Sequence, residues 1–166
     1  MRVKHLNINN LRNIVSTQID PDPCLNCFIG DNGAGKTSIL ESMAVLSKGR
    51  SFRAGQIASL IGPESTYFQV VATVESQSGE SHQLGMERGA DYWKARHNGE
   101  DVSQLSQLTQ LLPHVLLEPS SHTLVSGPPD GRRKYLDWGV FHVEHASFVL
   151  IGLLFGSDGI IFVIIR

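Results

Sequence analysis

The residues best equipped for chemistry form one short run, Gly30-Asp31-Asn32-Gly33-Ala34-Gly35-Lys36-Thr37, followed by Ser38. The spacing is a glycine, four residues, then glycine, lysine and a hydroxyl side chain. Gly30, Gly33 and Gly35 let the backbone curl until successive N–H groups point inward at a phosphate. Asp31, Asn32 and Ala34 fill out the curl. Lys36 is spaced to reach the outer phosphates of a nucleoside triphosphate, and the Thr37 hydroxyl to bind Mg²⁺, a hard cation that prefers oxygen. Such a loop grips a nucleotide without saying what the nucleotide is for.

Hydrolysis asks for more than a grip. An acidic residue at the end of a hydrophobic strand must support Mg²⁺, and another group must position the attacking water. Two stretches offer an acid at such a place: "HVLLEP", with Glu118, and "FVLIGLLFGSD", with Asp158. Neither carries the paired Asp-Glu of the common ATPase form, and a plain buried strand ending in a polar residue is the far commoner reason for such a pattern.

These residues need a frame. "CLNCFIG" reads as a short buried strand ending at Gly30. "KTSILESMAVLSKG" sets Ile39, Leu40, Met43, Ala44 and Leu46 at helical spacing, with Gly49 as its stop. The glycine loop therefore lies between a strand and a helix, where the positive end of the helix dipole adds to its grip. Upstream, Val3–Leu11 and Ile14–Asp20 show partial alternation and read as an antiparallel pair. Residues 66–98 read as a meander, with Asn98-Gly99 as a tight turn. "VSQLSQLTQLL" patterns as a short amphipathic helix, "HVLLEP" as another buried strand, and "RRKYLDWGVFHVEH" as a helix.

A second cationic feature opens that last helix. Arg132, Arg133 and Lys134 stand where cations oppose the helix dipole. Contact with phosphate or nucleic acid gives a reason for them, and a solvated helix end is the plainer account. Charge is also unevenly spread. Residues 1–60 hold seven Lys or Arg against four Asp or Glu, and the remainder holds seven against twelve. With a net charge of -2 overall, any surface for a polyanion is local, and the first third is the better place for it.

Taken together these stretches resemble the RecF family of bacterial DNA replication and repair ATPases, relatives of the SMC and ABC-type ATPases. The resemblance runs from Met1 to about His145. It is carried by "LRNI" (Leu11–Ile14), "GDNGAGKTSILE", "GRSFR" (Gly49–Arg53) and "GP..RR.YLDWG.FH". Asn32 within the loop is typical of this branch. The resemblance implies an α/β fold: a P-loop NTPase, ABC-ATPase-like lobe with a mixed sheet around the loop helix and an antiparallel meander. It implies ATP with Mg²⁺ on Gly30 through Ser38. It also implies an ATP-dependent homodimer clamped on single-stranded or gapped DNA, recombination mediator proteins as partners, and a role in recombinational gap repair and the SOS response. Arg50, Arg53, Arg132 and Arg133 become candidates for contacting DNA or sensing nucleotide.

Three departures from the family pattern stand out. Ser120 replaces an acidic residue, and Pro128 replaces a small residue or glycine. Family members are about twice as long, and their signature loop and Asp-rich strand have no counterpart here. Residues 1–145 are accordingly read as the N-terminal part of the lobe, which would be an incomplete ATPase. Residues 146–166 form an apolar tail with two runs, Phe148–Phe155 and Ile160–Ile165, split by Ser157-Asp158-Gly159. The tail is read as frame-shifted near Ala146 or as a fragment end, with a terminal hairpin and membrane contact as the lesser alternatives; it is too interrupted for a membrane span, which needs about 20 apolar residues, and no membrane partner is expected.

Length and composition fit one globular domain with a real core: 166 residues, 41% of them hydrophobic. The start of the chain has no apolar leader, and two cysteines make no disulfide framework, which suits a reducing cytoplasm. Cys24 and Cys27 form a CxxC without a second ligand pair for zinc and read as plain strand cysteines. The reading from another functional class is a stand-alone P-loop phosphotransferase. It would need an arginine-rich lid, which the tail does not offer.

Overall fold

The computed structural model describes residues 1–53, 55–117, 121, 126–143 and 161–164. The chain divides into two compact units, one of Met1–Leu112 with Asp158–Arg166 and the other of Pro113–Ser157.

The first unit is built on strands β1 (Arg2–Leu11), β2 (Ile14–Ile19), β3 (Leu25–Phe28), β4 (Tyr67–Glu75), β5 (Ser81–Gly89), β6 (Trp93–His97) and β7 (Glu100–Asp101). Its helices are α1 (Lys36–Lys48), a 3₁₀ turn (Ile57–Leu60) and α2 (Leu105–Leu111). Six strands make one antiparallel sheet in the order β2-β1-β4-β5-β6-β7. Alternation selects the buried face: Phe68, Val70, Ala72 and Val74 all lie inward along β4. On β1 the inward residues are Val3, Leu6, Ile8 and Leu11, a spacing that breaks the period of two twice. A register shift between Val3 and His5 absorbs the first break. Asn10, at φ 55°, absorbs the second by turning the strand before Leu11. The expected Asn98-Gly99 turn is present with φ 52° and 86°, the pair of positive values that a tight hairpin demands.

Helix α1 lies in this core. Met43, Val45 and Leu46 pack with the sheet residues and with Leu108 of α2. Each large aliphatic side chain so buried contributes about 1.5–3 kcal/mol. Ser47 is buried too, and its polar atoms are accounted for. Its hydroxyl donates to Leu112 O at 2.8 Å, and its carbonyl accepts from Thr109 Oγ1 at 2.7 Å, tying α1 to α2. The helix ends at left-handed Gly49, whose N–H returns to Val45 O at 2.7 Å.

Strand β3 differs from its sequence reading. Leu25, Cys27 and Ile29 are exposed, Ile29 at 76%, so β3 is not a buried strand. The reason is topological: β3 is not part of the six-stranded sheet. It pairs in parallel with β8 (Ile161–Ile164), register Leu25↔Ile161 through Phe28↔Ile164. The parallel and antiparallel pairings expected of one mixed sheet are thus divided between two sheets. Cys24 and Cys27 are free thiols.

The second unit contains α3 (Pro129–Val143), as its sequence pattern predicts. "HVLLEP" is a correction. Residues 113–117 form no strand, with Val115 and Leu117 exposed, the latter at 81%. Apolar composition alone does not make a strand where no neighbour supplies a hydrogen-bonded edge. Glu118, Ser120 and Asp158 lie outside the described residues, as does most of the tail. Among the described residues no helix is long and apolar enough to cross a membrane.

Candidate functional site: the glycine loop and its supports

The loop between β3 and α1 has the backbone its glycines predict. Gly30, Gly33 and Gly35 have φ values of 154°, 84° and 95°, which side-chain-bearing residues rarely adopt. Ala34 N–H donates to Asp31 O at 3.2 Å, closing a tight turn within the loop. Lys36 opens α1 and folds back over this turn. Its Nζ donates to Gly30 O at 2.5 Å and to Asp31 O at 2.8 Å. The ammonium therefore sits at the loop itself, beside the backbone that would wrap a phosphate.

The N-terminus of α1 lacks the usual protein partners. Gly35 is its N-cap, no side chain caps it, and its first turn holds no acidic residue. A helix start without a cap or carboxylate leaves N–H groups and the positive dipole end for an external anion. A triphosphate fits this donor set. Thr37 stands in the first turn, where its hydroxyl suits Mg²⁺, and Ser38 is turned inward, 4% exposed.

Two side chains from the β1–β2 turn support the loop, and sequence reasoning gave neither a role. Asn13 Nδ2 donates to Gly33 O at 2.5 Å, and its Oδ1 accepts from Ser38 Oγ at 3.1 Å. Arg12 reaches Glu41 on α1 with two nitrogens, Nε to Oε2 and NH2 to Oε1, the latter at 2.8 Å. Glu41 is fully buried and also accepts from Ser51 Oγ. Burial pushes its carboxyl up. The hydrogen bonds from Arg12 and Ser51, with the charges of Arg12 and Arg53, outweigh that and hold it below the ordinary carboxylate value. The Glu41 hydrogen bond in turn raises Arg12, against burial. One signal for this network was available: a lone carboxylate on the otherwise uncharged, core-facing run of α1.

The four candidate arginines fall in two places. Arg50 and Arg53 follow α1 and are exposed; Arg53 N–H donates to Ser51 Oγ at 2.9 Å, so this basic segment shares the Glu41 network. Lys48 beside them is held below its ordinary value by burial and then by Arg50. Arg132 and Arg133 belong to the second unit, on α3. Arg132 NH1 donates to Gly127 O at 2.9 Å, and Arg133 lies 3.7 Å from Asp130 with its side chain 75% exposed.

A strand, a glycine loop and a buried helix, backed by an antiparallel sheet, define a P-loop lobe of the ATPase-head class. The model of the RecF/RecN/SMC N-terminal domain matches residues 2–127, and the chain belongs to that family. Within it the likeness is to RecF, in its N-terminal portion. The chain is 42% identical over 147 residues to the DNA replication and repair protein RecF of Thioalkalivibrio sulfidiphilus, covering 88% of this chain and 41% of the relative. It therefore spans about two-fifths of the length of the curated relatives it matches. Among solved structures, the recombination mediator protein RecF with ATP superposes at a TM-score of 0.76, 24% identical, over 86% of this chain and 38% of that one. The SMC head domain from Thermotoga maritima superposes at 0.53, 18% identical, over 65% of this chain and 41% of that one. At these identities the two structures speak to the fold: a partial ABC-ATPase-like head with an antiparallel sheet.

Proposed function

We propose that this chain binds ATP with Mg²⁺ as the nucleotide-holding part of a RecF-type protein of DNA replication and recombinational gap repair. The observation that carries the reading is the uncapped α1 N-terminus with Lys36 Nζ folded over the glycine loop. Gly30 through Ser38 hold the phosphates, with Lys36 supplying charge. Thr37 would hold Mg²⁺ through its hydroxyl, an oxygen of the kind that cation prefers. When bound, the cation would neutralise phosphate charge, and the residues of this chain would orient the nucleotide.

DNA, single-stranded or gapped, is the second ligand, met electrostatically by Arg50 and Arg53 after α1 and by Arg132 and Arg133 on α3. ATP-dependent pairing of two copies and docking of recombination mediator proteins complete the reading, as the family resemblance implies. Equilibrium binding of a labelled ATP analogue, with and without Mg²⁺, tests it. Binding that strengthens with Mg²⁺, and strengthens less in Thr37→Ala, supports the assignment. Absence of ATP binding by the folded chain contradicts it.

A further inference from the structure

We propose that Asn13 is a positioning residue for the phosphate loop; the inference rests on reading that loop as the ATP site. Its carboxamide uses both ends. The Nδ2 group donates to Gly33 O in the loop at 2.5 Å, and Oδ1 accepts from Ser38 Oγ in the first turn of α1 at 3.1 Å. One side chain from another strand pair thus ties the loop to the helix that follows it. Gly35, between those two points, lies against the same turn. A Cβ there would stand 3.3 Å from Ile14 Cγ1 and 3.5 Å from Asn13 Nδ2.

The bond to Gly33 O fixes a peptide plane. In a trans peptide the carbonyl of one residue and the N–H of the next point in opposite directions. Asn13 holds the Gly33 carbonyl on its own side, and Ala34 N–H is directed at Asp31 O. Gly33, without a side chain and at φ 84°, is where this plane rotates most easily. Rotation would bring the Gly33 carbonyl round toward Asp31 O, replace an N–H by an oxygen there and open the turn that closes the loop. Asn13 opposes that rotation.

The turn carrying Asn13 is itself strained and held. Asn10 and Arg12 both have positive φ, 55° and 53°, a conformation uncommon for residues with side chains and found at sites whose surroundings enforce it. Here the enforcement is visible. Arg12 N–H donates to Leu60 O at 2.7 Å, Gly62 N–H donates to Asn10 O at 2.7 Å, and Leu11 bridges to Ile61. The Arg12 side chain clamps Glu41, one turn beyond Ser38. Asn13 therefore leaves a fixed base, as a positioning group must.

The test uses the 166-residue chain with Asn13→Ala, Asn13→Asp and Lys36→Ala, read by ATP affinity, melting temperature and amide hydrogen exchange. Asn13→Ala removes both bonds and should weaken ATP binding about fivefold to tenfold, the order of the one bond that holds the loop carbonyl of Gly33. Asn13→Asp should weaken it further, because a carboxylate cannot donate to Gly33 O and sets a negative charge beside the triphosphate. Exchange at Ala34 should quicken in Asn13→Ala while the β4 amides stay protected. Wild-type ATP affinity in Asn13→Ala, or unchanged exchange at Ala34, overturns the proposal. Failure of the site reading looks different: neither wild type nor any variant binds ATP, and exchange at Ala34 alone then decides the role of Asn13. If Asn13→Ala does not fold, Ser38→Ala, which removes one of the two bonds, should show the same loop-specific exchange.

Discussion

Arg12 and Glu41 meet across the joint between a left-handed turn and the phosphate-loop helix, two guanidinium nitrogens on two carboxylate oxygens. The carboxylate is wholly buried, and the side chain of Arg12 is one-quarter exposed. Breaking such a pair leaves a charge without its partner, and that costs more than the pair itself contributes. Glu41 also holds Ser51, so the pair joins α1 to the basic segment that ends in Arg53.

Arg12→Ala should lower unfolding stability by about 3 kcal/mol, toward the low end for a broken buried pair. Arg12→Ala with Glu41→Gln should recover part of that loss, since the buried group left behind is then neutral. The pH dependence has a definite sign. The Glu41 carboxyl is lowered in the folded chain from its ordinary 4.5. Its contribution is present above about pH 4.5 and is lost as pH falls through the lower folded value. Urea unfolding of wild type and Glu41→Gln between neutral and acid pH checks this: the difference between them should shrink on acidification.

The glycines of the loop are not equivalent. Gly33→Ala meets nothing within 4 Å, so it carries only the cost of a left-handed alanine, about 1–2 kcal/mol. Gly35→Ala carries the same cost and a close approach to Ile14 Cγ1 at 3.3 Å, so it should be the more destabilising. Melting curves of the two variants give the order, and Gly33→Ala at least as damaging as Gly35→Ala would contradict this packing.

Much of this architecture is legible in the sequence, for reasons that are local. Strands β1 and β2 show in partial alternation, β4 and β5 in the strand-like meander of residues 66–98, α1 in its spacing and Gly49, and the β6–β7 hairpin in Asn98-Gly99. The glycine loop is legible because its chemistry demands residues of fixed type at fixed spacing. What escaped depends on distant pairing. Arg12 and Glu41 are 29 positions apart, with no period to link them. Asn13 supports the loop only because a strained turn aims it there. The exposed face of β3 and the irregular path of residues 113–117 have the same origin. Apolar composition predicts burial, but partner strands decide it.

DNA binding should depend on charge. Replacing Arg132 and Arg133 together by alanine should lower affinity for single-stranded or gapped DNA and flatten its salt dependence, by about one unit of logarithmic slope for each phosphate no longer neutralised. Both are exposed on α3, so melting temperature should hardly move. Titrations at several salt concentrations beside a melting curve separate the cases. A lowered melting temperature with an unchanged slope would assign these arginines to structure.

We propose that Lys36 and the glycine loop hold the phosphates of ATP. The most direct measurement is the equilibrium affinity of the 166-residue chain for ATP, in Mg²⁺, with and without Lys36→Ala. Loss of a charge-assisted hydrogen bond to phosphate predicts a weakening of roughly 10-fold to 100-fold, larger than any other single lysine change produces, with the fold retained. Equal affinity of the two proteins would show that Lys36 does not hold the phosphates.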